Sequence, residues 1–169
     1  VAGRLTIGAA ILVVVVYALG KRLPGPGRAW APYAMLALLG NCVPFYLITW
    51  GQKTVDSALA GILMAAMPLA TMVLAHFLVQ GEHMTRNRVG GFVLGFCGIV
   101  LLIGPAALGG FGGSALQVVS QLAILCGALC YAGNSVLARL KVRGDVLVAS
   151  AGTLLVASAV MLPVALALD

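Results

Sequence analysis

Apolar residues fall into six runs, at 5–19, 30–50, 55–79, 89–108, 118–138 and 146–168, separated by short polar breaks. The last five hold 20 to 25 residues each. At about 1.5 Å per residue such helices reach roughly 30–37 Å, enough to cross a hydrocarbon core of about 30 Å. The first run has 15 residues, so it spans only if residues 2–4 join its first turn. Hydrocarbon offers no partner for backbone N–H and C=O groups, which makes each run a helix. Alternating polarity over about ten residues, the mark of a barrel strand, is missing. The breaks carry stop signals: GKRLPGPGR at 20–28, QGEHMTRNR at 80–88, GGFGG at 109–113 and RLKVRGD at 139–145. The first, second and fourth read as compact polar turns and the third as a flexible uncharged one.

Composition agrees with the pattern. Of 169 residues 62% are hydrophobic and 8% charged, with mean hydropathy +1.12. A soluble domain carries about 25% charge, and a chain this short cannot hide so much apolar surface from water. A soluble globule, a nucleic-acid binder and a disordered chain are excluded. The expected fold class is all-α integral membrane, with six transmembrane helices. Trp30 and Trp50 stand 20 residues apart, as for a tryptophan at each interface. Cys42, Cys97, Cys126 and Cys130 lie inside apolar runs without ligand spacing and read as buried free thiols. The chain opens on Val1 and ends almost on an apolar run, so it is expected to be an excerpt of a longer one.

Charge placement sets an expected orientation. Lys21, Arg22, Arg28, Arg86, Arg88, Arg139, Lys141 and Arg143 occupy three breaks on one side, against Arg4 and Lys53 on the other. The positive-inside rule puts loops 20–29, 80–88 and 139–145 in the cytoplasm of a cell (inner or plasma) membrane. This bias explains the net charge of +6 without an anionic partner. A faint repeat adds to it. At an offset of 147, Val1, Ala2, Thr6, Ala10 and Val13 match Val148, Ala149, Thr153, Ala157 and Val160. Five identities are weak in so apolar an alphabet. An offset of five spans nevertheless forces the second copy to be inverted.

Residues 44–102 carry a pattern that resembles the EamA-type domain of the drug/metabolite transporter superfamily. An aromatic-rich helix precedes a small-residue helix from Ser57 to Leu63, then Pro68–Leu69. Gly81–Glu82, the pair Gly90/Gly91 and GIVLL from Gly98 to Leu102 follow. His83 stands where that pattern is often basic. The resemblance implies ten helices in two inverted five-helix repeats. Residues 1–108 would be helices two to five of the first repeat, and 109–169 the first two helices of the second. One N-terminal and three C-terminal helices would lie outside this chain.

Candidate site residues follow from polarity at membrane depth. Asn41, Pro44, Phe45, Ile48 and Gln52 share one face of the second run. Gly127, Tyr131 and Asn134 form a similar stripe on the fifth. A mid-membrane amide is costly unless paired or facing a wet cavity. Asn41, Gln52, Tyr131 and Asn134 are therefore read either as substrate-cavity residues or as interhelical glue. The resemblance favours the cavity for Tyr131 and Asn134. Pro68 breaks its helix and is a candidate hinge. Glu82, beside Arg86 and Arg88, is a candidate gating or structural ion-pair residue. Gly61, Gly91 and Gly95 read as close helix packing.

The resulting expectation is a multi-pass transporter, an exporter of small metabolites such as amino-acid-like or amphipathic compounds. It would work by alternating access around a midplane cavity. Its partners are a small-molecule substrate and the bilayer, with no nucleic acid, cofactor or metal. Proton coupling and exchange both stay open, as does oligomeric state. A non-transporting structural or assembly subunit is the alternative. An enzyme is not expected: His76, Glu82 and His83 are the only titratable group gathered near one loop, and no catalytic residue is assigned.

Overall fold

The computed structural model describes residues 2–25, 27–141 and 145–168, and every element among them is helical. Val1, Arg143 and Asp169 lie outside them, so the match of Val1 to Val148 and the place of Arg143 in its loop have no structural counterpart here. Five helices are long and apolar enough to cross a membrane: Arg28–Gly51, Ser57–Leu78, Arg86–Ile103, Ala115–Lys141 and Val146–Ala165. A sixth apolar helix is shorter, α1 (Ala2–Ala18), and it takes residues 2–4 into its first turn. The all-α membrane fold expected from the hydropathy is the fold observed. The chain divides into two compact units, residues 1–42 with 137–169, and residues 43–136.

In the first unit α1 ends in a Schellman motif. Gly20 takes φ +70°, Lys21 N–H bonds to Val16 O and Gly20 N–H to Tyr17 O, both at 3.0 Å. A 3-10 turn, Arg28–Trp30, leads into α2 (Ala31–Ala37). A π turn, Leu38–Cys42, follows. The second run was expected as one uninterrupted helix, and Pro44 explains the difference. It has no N–H for the carbonyl of Gly40, so the ladder widens just before it. The helix α8 (Val146–Leu168) runs antiparallel to α1. Gly8 meets Leu154, and Leu5 shares a core with Ala37, Ala157 and Leu154. A Cβ added at Gly152 would lie 2.9 Å from the Tyr33 ring, which stands nearly perpendicular to the Trp30 ring with centroids 5.9 Å apart.

Asp145 caps α8 by accepting the N–H of Leu147 at 2.9 Å and pairs with Lys21. The Lys21 ammonium, with the Leu147 N–H, holds its carboxyl below the usual carboxylate range. A depressed folded value means that the pair stabilises above the ordinary pKa of about 4 and is lost as pH falls through the lower folded value. Thermal unfolding followed by circular dichroism should therefore show a drop on acidification below about pH 4. Asp145→Asn keeps the cap and should flatten that drop; an unchanged profile would remove the pair from the stability of this end.

In the second unit α3 (Val43–Gly51) is followed by a turn and by α4 (Ser57–Met64), capped by Asp56 Oδ1 accepting from Ala58 N–H at 2.8 Å. The turn Ala65–Ala66 separates α4 from α5 (Met67–Leu78), with Pro68 in the first turn of α5. Thr85 caps α6 (Arg86–Ile103), which starts three residues earlier than the hydropathy predicts. It also stops five residues earlier, because Gly104 takes φ +102° before Pro105 and the chain continues as a 3-10 turn, Pro105–Gly110. Ser114 and Gln117 exchange hydrogen bonds as a capping box for α7 (Ala115–Lys141). That helix carries Arg139 and Lys141 in its last turn, where a polar turn was expected from residue 139. The core is Val55, Leu59, Ala60, Leu63 and Ile124.

Candidate functional site

The antiparallel pair α3 and α7 builds the candidate site. One face of α3 presents Pro44, Phe45, Ile48 and Gly51; one face of α7 presents Ser120, Ile124, Gly127 and Tyr131. The spacings of 1, 3 and 3 and of 4, 3 and 4 are those of a single helical face. Two glycines bring the backbones together. A Cβ at Gly51 would lie 2.7 Å from Ser120 O and from Ile124 Cγ1, and one at Gly127 2.8 Å from Ile48 Cγ1. Thr54 Oγ1 donates to the buried Ser120 Oγ at 2.6 Å, closing one end. Toward the other end Phe45 and Tyr131 meet edge to face with centroids 6.4 Å apart.

Asn134 lies one turn beyond Tyr131. Its Oδ1 is buried and has no hydrogen-bond partner among the described residues. Such an atom forfeits about 1–3 kcal/mol unless a donor reaches it. The adjacent hydroxyl is committed elsewhere, since Ser135 Oγ donates to Tyr131 O at 3.0 Å. An aromatic pair beside an unsatisfied acceptor can hold a ligand with an apolar body and a donor group.

The other expected site residues are distributed. Asn41 is half-buried in the π turn and belongs to the first unit. Gln52 lies past the end of α3, its N–H bonded to Ile48 O and its side chain exposed. Pro68 stands at the break between α4 and α5. Glu82 Oε2 is 3.7 Å from Arg88 Nη1, in the loop where the His76 and His83 rings lie 6.0 Å apart and His76 Nδ1 accepts from Met84 N–H. Gly61 packs against Ile103, whereas Gly91 and Gly95 have no described neighbour within 4 Å. Cys42 is buried, but Cys97 and Cys126 are exposed, contrary to the expectation of four buried thiols. No group of three metal-ligating side chains occurs among the described residues.

Gly51 and the π turn escaped the sequence reading. A glycine between Trp50 and Gln52 looks like a helix stop, and its second role needs the partner helix to be seen. The π turn did have a signal, Pro44 four residues after Gly40.

Comparison with known proteins gives this arrangement its relatives. The chain is 28% identical over 140 residues to the uncharacterized transporter YoaV of Bacillus subtilis (strain 168), covering 83% of this chain and 47% of that one. It is 34% identical over 104 residues to a WAT1-related chloroplastic protein of Arabidopsis thaliana, covering 61% of this chain and 24% of that one. A solved crystal structure superposes with TM-score 0.79 and 28% identity, over 96% of this chain and 55% of the other. The chain thus spans about half the length of YoaV and of that structure. The profile of the EamA-like transporter family matches residues 1–104, well over half of the 169. This multi-pass chain belongs to the EamA-like transporter family.

Proposed function

We propose that the protein exports small amphipathic or amino-acid-like metabolites across the cell membrane by alternating access, binding them at Phe45, Tyr131 and Asn134. The observation that carries this reading is the buried, unpartnered Asn134 Oδ1 beside an aromatic pair on a membrane-spanning helix. Interhelical glue would find its partner within the protein, whereas a transport site is left open for a visitor. Gln52, on the exposed turn, serves as the mouth of the path, and the break at Pro68 as a hinge for α4 and α5. Glu82 with Arg88 ties the hinge's far loop. The basic excess supports loops 20–29, 80–88 and 139–145 as cytoplasmic.

Two inverted repeats, 1–108 and 109–169 onward, would rock about a shared axis. What supports this reading is that α1 packs on α8 close to the aligned positions: Gly8 touches Leu154, the repeat mate of its neighbour Ile7.

Flux tests the proposal. The full chain in proteoliposomes should exchange at least one labelled compound from a panel of amino acids, aromatic amines and small organic cations above empty vesicles. Loss of that flux in Asn134→Leu, at unchanged protein level, is expected. No flux across the panel, or Asn134→Leu lost through failure to accumulate, would favour a structural subunit.

A further inference from the structure

A cavity lies in the unit of residues 43–136, at the opposite end from the His76–Glu82 loop. Its volume is about 460 Å³, within the range of roughly 300–1,000 Å³ of small-molecule sites. The N-terminus of α4, the C-terminus of α6 with the 3-10 turn, and the N-terminus of α7 surround it. None of Phe45, Tyr131 or Asn134 lines it.

Its frame is fixed by saturated polar groups. Gln121 is 7% exposed; its amide nitrogen donates to Gly110 O at 2.8 Å and Gly112 O at 3.2 Å, and its Oε1 accepts from Gly112 N–H at 3.1 Å. Gln117 Oε1 accepts from Ser114 N–H, and Thr54 donates to Ser120. These bonds use the oxygens of both glutamines. The apolar wall is Leu59, Ile103 and Ala107.

Among the described residues the one charged lining residue is Asp56. Its Oδ1 caps α4, which leaves Oδ2 for a ligand, and no described cation pairs with it. One free carboxylate oxygen falls far short of the six to eight oxygens that calcium takes. No lining cation offsets a ligand carboxylate, so an anion or a zwitterion gains less than a monocation.

From this we infer that the cavity is a binding site for a small amphipathic monocation, held by its ammonium at Asp56 and by its apolar body against Leu59, Ile103 and Ala107. Gln117 keeps its amide nitrogen for an acceptor on the ligand. The site is separate from the transport site proposed above and stands without it.

Binding to the full chain in lipid nanodiscs tests it, with empty nanodiscs as the blank. The probes are 2-phenylethylamine, phenylalanine and 3-phenylpropionate, one cation, one zwitterion and one anion on the same ring. The amine should bind at least about tenfold more tightly than the other two. Asp56→Asn, which still caps a helix as well as aspartate does, should abolish that preference. Every measurement is made in the Asn134→Leu background, which lacks the acceptor of the transport site; there Ala107→Phe, which fills the wall, should abolish binding. Equal binding of the three probes, or an unaffected Asp56→Asn, would overturn the assignment. Retention of binding in Ala107→Phe would move the cation elsewhere and overturn it too.

Discussion

Gly51→Ala should destabilise the protein by about 3 kcal/mol and remove most of it from the folded membrane fraction. The methyl group would sit 2.7 Å from both Ser120 O and Ile124 Cγ1, with Ile124 Cδ1 at 3.1 Å. A flexible side chain could swing away from such an intrusion, but Ser120 O belongs to the backbone of α7. Separating α3 from α7 would also strain the Thr54–Ser120 hydrogen bond and reopen the Gly127–Ile48 contact, since one helix pair carries all three. A loss of about 3 kcal/mol is large against total stabilities of about 5–15 kcal/mol. Gly91→Ala is the control: its Cβ meets open space, and alanine is the better helix former by up to about 1 kcal/mol. Denaturation in detergent, with both variants beside the parent, separates the cases. Matching midpoints for Gly51→Ala and Gly91→Ala would mean that α3 and α7 do not pack this closely.

Asn134→Leu should lower transport at least about fivefold while the protein accumulates normally. Leucine has the same branched heavy-atom skeleton as asparagine, with bulkier ends, and removes the unpartnered buried acceptor. The folded protein therefore loses a liability, and replacing an unpaired polar group by an apolar one of the same shape is near neutral. A bound ligand loses its acceptor instead, and its donor is left unpaired in a low-dielectric site at about 1–3 kcal/mol, or roughly five- to 150-fold. Rescue of accumulation without rescue of flux marks a site residue. Flux equal to the parent would return Asn134 to packing.

Much of this was legible in the chain because a bilayer allows few solutions. Helices at each apolar run follow from backbone satisfaction alone, and α1 gained the residues it needed. Of the stripe Asn41, Pro44, Phe45, Ile48 and Gln52, the three residues inside α3 share the face packed on α7, while Asn41 falls in the π turn and Gln52 beyond the helix end. Boundaries were less readable. Gly104 ended α6 inside an apolar stretch, and hydropathy does not register a backbone angle. Gln52 and Gly51 are neighbours, yet one is exposed and the other wedged against α7; that difference depends on where α3 ends and on what faces it. The cavity around Asp56 was equally hidden, because its lining comes from three helix ends far apart in sequence.

The central claim is that Asn134 lines a path open alternately to the two sides of the membrane. Cysteine accessibility measures this directly. Cys42, Cys97, Cys126 and Cys130 are replaced by alanine, Asn134→Cys is introduced, and a membrane-impermeant methanethiosulfonate reagent is applied to one side and then, in separate vesicles, to the other. The account predicts modification from both sides, slowed by any compound that the flux assay identifies as transported. A thiol at position 134 that stays unreactive from both sides in folded protein would contradict it.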